Sequence, residues 1–185
     1  MTDEAPKPTY ERIHFPGNIH LITTNQQLAA IAKPLLAATE LGFDTETRPS
    51  FRKGEVYQTA LLQLATDRDA YLIRLRGLTE FQSLIDVFQS KEILKVGVAI
   101  RDDLKKLQQV FKFSQQGFVE LQDVAKSKGL KNFGLKGMTE EVLKASLSKR
   151  AKITNWESPR LTDDQLMYAA TDAWIGLKLF QALKP

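Results

Sequence analysis

The sequence predicts a single α/β domain in which a mixed five-stranded sheet carries helices on both faces. Two observations support this prediction. Strand-like segments come first and are followed by alternating strand-like and helix-like segments, an order typical of a sheet covered by helices. Several of these strands are apolar at both alternating sets of positions, as strands buried on both faces are. At 185 residues, the chain is long enough to bury one such core.

The first half of the chain supplies four of the five predicted strands. IHLIT is strand-like, and a helix then begins at Thr24 or Asn25 and is kinked or restarted by Pro34. GFDTE is the second strand, and the polar loop RPSFRKGEVY follows it. TALLQLAT and AYLIRL are the next two strands, joined by a turn at DRD.

The second half supplies the fifth strand and most of the helices. LTEFQSLIDVFQS has apolar residues at helical spacing, ILKVGVAI is a buried strand, and RDDLKKLQQVF is the helix directly after it. FVELQDVA is either a further strand or a passage from strand to helix. The rest is helical and ends in one long helix. Residues 1–20 are expected to form a partly disordered tail, and residues 21–185 the domain.

Composition narrows the possible chemistry. The chain has no cysteine, which excludes thiolate metal sites, iron–sulfur clusters and thiol nucleophiles. Its two histidines, His14 and His20, lie near the N-terminus, so a histidine-rich metal site is also excluded. No apolar run approaches the ~18 residues that cross a bilayer, and the first residues lack a secretion signal. We therefore expect a cytoplasmic protein in which any metal is held by oxygen.

The positive charge is uneven along the chain. The net charge is +4, and the segment from Lys126 to Lys152 holds eight basic residues against two acidic ones, Glu140 and Glu141. Such a segment is either a solvated helical face or a surface for a polyanion such as nucleic acid.

Acidic residues occur beside core-like sequence in three places. Asp44 and Glu46 end a strand and share one of its faces. Asp103 lies in the first turn of a helix, and Tyr168 and Asp172 are four residues apart on another helix. Each place also has a simpler explanation: a polar strand end, an acid that favours the helix dipole, and a packed aromatic beside a surface acid.

Taken together, the three places indicate a metal site. They fall where strands end or where a helix crosses the sheet, and α/β folds keep their sites there. The small residues Ala169, Ala170 and Ala173 would let the last helix approach a strand and bring Asp172 near Asp44. Carboxylates without histidine or cysteine suit hard cations, so Mg²⁺ or Mn²⁺ is expected between them.

Three motifs resemble, in order and spacing, those of the DEDD superfamily of 3′–5′ exonucleases, which have a ribonuclease H-like fold. They are FDTE, VGVAIRDDLKKL and YAATDAWIGLKLF. The runs ALLQLAT and NWESPRLTDDQLMYAATDA look like the RNase D and Werner-syndrome exonuclease branch in particular. The resemblance covers roughly residues 20–183.

The resemblance implies which residues act. The family pattern VGxxIxxD counts to Asp103 rather than Asp102. The tyrosine subclass has its catalytic tyrosine four residues before the last aspartate, where Tyr168 stands, whereas the histidine subclass would have histidine at Met167. The implied metal-binding acids are Asp44, Glu46, Asp103 and Asp172.

The implied mechanism uses two ions about 3.5–4 Å apart. Asp44 would bridge them, Glu46 and Asp172 would complete the site of one ion, and Asp103 would act on the other through water. Tyr168 has an ordinary pKa near 10, which is too high for a base, so it would orient the attacking water.

Nucleic-acid contacts are expected from exposed basic and aromatic residues. Phe51 or Trp156 would stack on a base, although Trp156 also suits structural packing. The implied nucleic-acid-binding residues are Arg52, Lys53, Lys136, Lys149, Arg150, Lys152 and Trp156.

The resemblance therefore implies a metal-dependent 3′–5′ exonuclease that releases nucleoside 5′-monophosphates. DNA is favoured over RNA, because VGVAIRDD is closer to the Werner-like second motif. An RNase D-like exoribonuclease, a catalytically weak nucleic-acid-binding module and an internally cutting ribonuclease H-type nuclease remain alternatives. The expected partner is a nucleic acid with a free 3′ end, with no membrane and with a helicase or repair partner left open.

Overall fold

The structure, a computed structural model that describes residues 8–148, 151 and 153–184, is built on a six-stranded mixed sheet with the order β1-β4-β3-β2-β5-β6. Three neighbouring pairs are parallel (β1 with β4, β2 with β5, and β5 with β6), and β3 is antiparallel to both β2 and β4. The strands are β1 (Asn18–Ile22), β2 (Glu40–Thr47), β3 (Thr59–Ala65), β4 (Asp69–Arg74), β5 (Leu94–Gly97) and β6 (Phe118–Glu120).

The helices follow the predicted order. Thr24 caps the first helix through its side chain, and the helix breaks at Ile31 and restarts with Pro34 in its next turn, as predicted. A π-helical turn over Thr139–Leu143 follows α6. The helices are α1 (Asn25–Ala30), α2 (Ala32–Leu36), α3 (Gln82–Gln89), α4 (Ile100–Val110), α5 (Leu121–Ser127), α6 (Leu135–Met138) and α7 (Asp163–Leu183).

The prediction of helices on both faces is confirmed by two separate core clusters. Alternate residues of β2 and β3, such as Phe43 and Leu62, pack on one face with α1 to α4. Residues of the other parity, such as Leu61, pack on the opposite face with α5 and α7. Because strand side chains alternate, Asp44 and Glu46 lie on the α7 face.

The predicted count of five strands is wrong by one. The sixth strand is β6, in the segment FVELQDVA that the sequence left open between strand and helix. It is only three residues long and passes directly into α5. Its strand character depends on pairing with β5, where Val119 lies opposite Val96. No local pattern of three residues reveals such a pairing.

The chain before β1 is partly packed on the domain. Phe15 is 1% exposed and meets Trp174 edge-on, with ring centroids 5.8 Å apart. Residues 1–7 lie outside the described residues, so the expected disorder there stays a prediction. Among the residues that the structure describes, no helix is both long and apolar enough to cross a membrane.

Candidate active site

The site lies where α7 crosses β2. Ala169, Ala170 and Ala173 are fully buried, and Gly42 of β2 lies directly against the backbone of Ala173. The close approach expected from the small residues is therefore present, because neither element carries a side chain that would hold them apart. This packing brings the end of the first motif to the middle of the last helix.

Three carboxylates converge at this crossing. Asp44, Glu46 and Asp172 each place one carboxylate oxygen within 4.8 Å of the others, and all three are half-buried. Asp44 Oδ1 also accepts a hydrogen bond from the backbone N–H of Thr45 at 2.8 Å. The three acids line a cleft of about 380 Å³ together with Tyr168 and other residues. Three negative charges this close repel one another unless a cation lies between them.

Tyr168 lies one helical turn before Asp172 and donates a hydrogen bond to that carboxylate. Burial raises the pKa of Tyr168 far above its ordinary value, and the negative charges of Asp172 and Glu46 raise it further. The phenol therefore stays protonated at neutral pH. It can donate or accept a hydrogen bond, but it is not a base.

Asp103 does not join the three-carboxylate cluster. It lies in the first turn of α4 beside Thr45, whose side chain alternates in direction with those of Asp44 and Glu46. Burial raises the pKa of Asp103, and a hydrogen bond with Thr45 opposes this rise. That contact is long or poorly aligned, because Thr45 Oγ1 has no hydrogen bond of ordinary geometry within the described residues.

Asp102, the alternative in the second motif, lies on the surface. Its side chain is 85% exposed, and one oxygen lies 3.4 Å from Nζ of Lys105. The half-buried position of Asp103 and the exposure of Asp102 agree with the preference for Asp103 that the motif spacing implies.

Glu120 fixes the start of α4 and was missed by the sequence analysis. Ala99, the residue before α4, adopts a left-handed conformation with φ 57°. Glu120 accepts from the backbone N–H groups of Ala99 and Ile100, both at 2.8 Å. A carboxylate from the neighbouring strand thus replaces the missing helix cap and stabilises a strained turn that positions Asp103.

Gln63 is a second residue that the sequence analysis missed. It lies opposite Asp44 in the β2–β3 pairing and is fully buried. Neither atom of its amide has a hydrogen-bond partner within the described part of the chain. In the sequence it is a glutamine within the run ALLQLAT, and the apolar residues around it are the local signal of its burial.

Four of the seven predicted nucleic-acid contacts lie within the described residues. Arg52 and Lys53 are exposed on the loop between β2 and β3. Lys136 lines the cleft with its ammonium 3.6 Å from Glu140. The remaining predicted basic contacts lie outside the described residues: Lys149, Arg150 and Lys152.

Trp156 is a packing residue, and the prediction that it contacts nucleic acid is wrong. Its side chain is 1% exposed and packs beside Tyr168, with ring centroids 6.1 Å apart. A ring so deeply buried offers no face to a base. Phe51, the other aromatic residue considered, is 80% exposed and keeps a free face.

Comparison with known proteins identifies the family. Residues 19–185 match the sequence profile of a family described as 3′–5′ exonuclease. The chain belongs to the 3′–5′ exonuclease family. This membership confirms the resemblance to the DEDD exonucleases that the three motifs carried. Exonucleases of this family act on nucleic acids with a 3′ end and are normally metal-dependent, which the three converging carboxylates fit.

Relatives of this exonuclease family include proteins from animals and plants. The chain is 38% identical over 149 residues to the mouse bifunctional 3′–5′ exonuclease/ATP-dependent helicase WRN, covering 77% of this chain and 11% of that protein. It is 36% identical over 152 residues to an Arabidopsis thaliana 3′–5′ exonuclease, covering 78% of this chain and 52% of that protein. The chain thus spans about half or less of these relatives.

Solved structures of exonucleases share the fold. Escherichia coli RNase D superimposes with a TM-score of 0.82 at 29% identity, covering 90% of this chain and 44% of that chain. The EXO domain of Aedes aegypti Nibbler gives a TM-score of 0.81 at 24% identity, covering 89% of this chain and 86% of that chain. These likenesses confirm the expected ribonuclease H-like exonuclease fold.

Proposed function

We propose that this protein is a 3′–5′ exonuclease that hydrolyses the terminal phosphodiester bond and releases nucleoside 5′-monophosphates. The observation that carries the proposal is the convergence of Asp44, Glu46 and Asp172 beside the hydroxyl of Tyr168. These groups come from two elements distant in the chain. A set of carboxylates at one point, without a histidine or cysteine ligand, suits Mg²⁺ or Mn²⁺.

The cluster has the donor chemistry that two divalent ions need. Such ions, when bound, lower the pKa of the attacking water and neutralise charge on the departing oxygen. Asp44 would be shared between the two positions, as the family resemblance implies, because it lies close to both Glu46 on its own strand and Asp172 on α7. Its carboxylate is held in place by the N–H of Thr45.

Tyr168 would position the water rather than deprotonate it. Its raised pKa keeps the proton on the phenol oxygen at working pH. Since that proton is donated to Asp172, the oxygen lone pairs can accept a hydrogen bond from the nucleophile. This role fixes the direction of attack and leaves metal binding to the carboxylates.

Asp103 would contribute through water. It lies outside the three-carboxylate cluster, and Mg²⁺ usually keeps several water ligands that outer carboxylates can hold. The half-buried position of Asp103 beside Thr45, and the anchoring of α4 by Glu120, support a fixed role rather than a solvated one.

DNA is the favoured substrate. The second motif, VGVAIRDD, is closer to the Werner-like form, and the mouse WRN protein shares 38% identity over 149 residues with this chain. An exoribonuclease is the second candidate, because the fold also matches E. coli RNase D, described as an exoribonuclease involved in structured RNA processing, at 29% identity.

The test uses 5′-labelled substrates so that shortening from the 3′ end gives a ladder. Single-stranded DNA, recessed-end DNA and RNA are incubated separately with Mg²⁺, with Mn²⁺ and with EDTA. We expect a ladder with either metal, none with EDTA, none with Asp44→Ala, and faster shortening of DNA than of RNA. Faster shortening of RNA would select the exoribonuclease.

The controls separate the remaining alternatives. Binding without shortening would indicate a nucleic-acid-binding module, and internal fragments would indicate an endonuclease. Asp102→Asn, which neutralises an exposed acid near the site, should retain the ladder. Because this variant changes the net charge as Asp44→Ala does, it controls for the loss of one negative charge.

A further inference from the structure

The N-terminal segment of residues 10–15 is fixed to the rest of the domain by backbone hydrogen bonds. The Ile13 N–H donates to the carbonyl oxygen of Ser146 at 3.0 Å, and the Ser146 N–H donates to the carbonyl oxygen of Glu11 at 2.9 Å. The Ser146 hydroxyl donates to the carbonyl oxygen of Tyr10 at 3.1 Å. This segment is therefore held in an extended conformation.

The same segment is fastened to the helix that carries the catalytic groups. The Phe15 N–H donates to Oγ1 of Thr171 at 3.0 Å, and this hydroxyl donates to the carbonyl oxygen of Met167 at 2.7 Å. Phe15 is buried against Trp174. Thr171 directly precedes Asp172, so the N-terminal segment has a fixed position relative to the acids.

Arg12 and His14 point into a second cleft. Both side chains are exposed, whereas Ile13 is half-buried and Phe15 is buried. The second cleft has a volume of about 190 Å³ and is lined by Arg12 and His14 on one side. It adjoins the catalytic cleft, because the two clefts share four lining residues: Leu147, Ser148, Tyr168 and Asp172.

The two side chains are available to a ligand. Within the described residues, no side-chain hydrogen bond or ion pair engages Arg12 or His14. A guanidinium presents planar donors that match the oxygens of a phosphate, and a histidine ring adds an N–H donor. Asp164 also lines the cleft. A carboxylate only accepts hydrogen bonds, so it suits the sugar hydroxyl or base amino group of the same nucleotide.

We propose that the second cleft binds a nucleotide phosphate adjacent to the scissile bond, with Arg12 and His14 as its donors. This inference rests on the proposed exonuclease function and assigns part of its substrate site. The family match begins at residue 19, so both donors precede the matched part of the chain. The same chemistry would hold either a backbone phosphate of the uncleaved strand or, after hydrolysis, the 5′-phosphate of the released mononucleotide once it has left the three acids.

The test measures binding of a short 5′-fluorescein single-stranded oligonucleotide by anisotropy across a salt series in EDTA. The full chain is compared with the double variant Arg12→Gln/His14→Gln. We expect the variant to bind about fivefold more weakly and its log–log salt slope to fall by about 0.7, the value for one lost phosphate contact on a single strand. Lys91→Gln, which removes one exposed charge before β5, should bind as the wild type does.

Two further results separate the sources of the phosphate. If a nucleoside 5′-monophosphate displaces the oligonucleotide from the wild type more readily than from the double variant, the cleft holds the mononucleotide phosphate. If the monophosphate displaces the oligonucleotide equally from both proteins, while the variant binds the oligonucleotide more weakly, the cleft holds a phosphate of the uncleaved strand. A double variant that matches Lys91→Gln in affinity and salt slope would overturn the proposal.

The binding assay does not depend on hydrolysis. Unchanged binding by the double variant, together with a Mg²⁺-dependent ladder from the wild type, would contradict this inference and support the proposed function. Weaker binding by the variant, without any ladder from the wild type, would contradict the proposed function and support the phosphate site.

Discussion

Gly42 in β2 lies so close to Ala173 in α7 that a Cβ on Gly42 would stand 1.9 Å from the Ala173 carbonyl oxygen. Two of the three clustered acids flank this contact, because Asp44 follows Gly42 on the same face of β2 and Asp172 precedes Ala173. The absence of a side chain at position 42 therefore sets the distance between carboxylates on two separate elements.

Gly42→Ala should disrupt both stability and activity. The clashing atoms are backbone atoms, so α7 must shift away from β2, and we expect a loss of about 1–3 kcal/mol in the free energy of unfolding. Exonuclease activity should fall by at least about 10²-fold, since small misplacements of reacting groups have effects of this size. Urea unfolding and the ladder assay measure the two effects.

Gly134→Ala is the matched control for stability. Among the described residues, no heavy atom outside the immediate chain neighbours lies within 4 Å of a Cβ added at Gly134. We expect its free energy of unfolding to change by less than about 1 kcal/mol. If Gly42→Ala were as mild as this control, the close contact would not determine the distance between the acids.

The sequence allowed the approach of α7 to be predicted, but not its exact partner. Three alanines around Asp172 mark one side of the contact, and they were recognised because they repeat along a helix. Gly42 is a single residue before the first motif, and its importance depends on which helix lies above it. The β6 strand shows the same limit, since only its pairing with β5 defines it.

Asp103→Asn should reduce activity far more than Asp102→Asn. Asp103 is half-buried beside Thr45, whereas the side chain of Asp102 is 85% exposed. We expect a loss of at least about 10-fold for Asp103→Asn, in the range found when outer-shell partners of a metal are removed. Asp102→Asn should stay within about 2-fold of the wild type. Initial rates at saturating Mn²⁺ for both variants make the comparison.

Metal titration then tests how Asp103 acts. Since Asp103 lies outside the three-carboxylate cluster, Asp103→Asn should retain part of its Mn²⁺ binding, which Asp44→Asn should lose. Equal losses of Mn²⁺ affinity in the two variants would show that Asp103 is a direct ligand. Equal rates for Asp102→Asn and Asp103→Asn would show that Asp103 does not contribute to the reaction.

Tyr168→Phe should lower the maximal rate by about 10²-fold, at the lower end of effects for positioned proton-transfer groups. Only the hydroxyl that would orient the water is removed, so Mn²⁺ affinity should stay within about 2-fold. Because the pKa of Tyr168 is raised above its ordinary value, the wild-type rate should show no loss from tyrosine ionisation up to about pH 10. Rates between neutral pH and this limit provide the measurement.

A different pH profile would change the role of Tyr168. If the wild-type rate showed a titration between about pH 8 and 10 that is absent from Tyr168→Phe, the phenol would ionise within the working range. That outcome would contradict the positioning role and would support proton transfer by the tyrosine.

The clustered acids could be predicted from sequence because their motifs place them at a strand end and where a helix crosses the sheet. The residues that hold these elements in place could not. Glu120 accepts from the N–H groups of Ala99 and Ile100, residues that lie about 20 positions earlier in the chain. Lys95, within the predicted buried strand ILKVGVAI, is fully buried, and nothing in the local sequence indicates its partners.

Lys95 should make stability depend on pH in the alkaline range. Its Nζ donates to the carbonyl oxygens of Val87, Ser90 and Ile93, and burial lowers its pKa to about 8. Between pH 8 and the ordinary value of 10.5, the unfolded chain binds more protons than the folded one. The free energy of unfolding should therefore rise with pH across this window, by at most about 3 kcal/mol.

Lys95→Met should lack this rise and should be less stable at every pH, because buried carbonyl groups lose their donor. Urea unfolding of both proteins from pH 7 to 10 makes the test, and a constant difference between them would show that the three carbonyl contacts offset the cost of burying the charge.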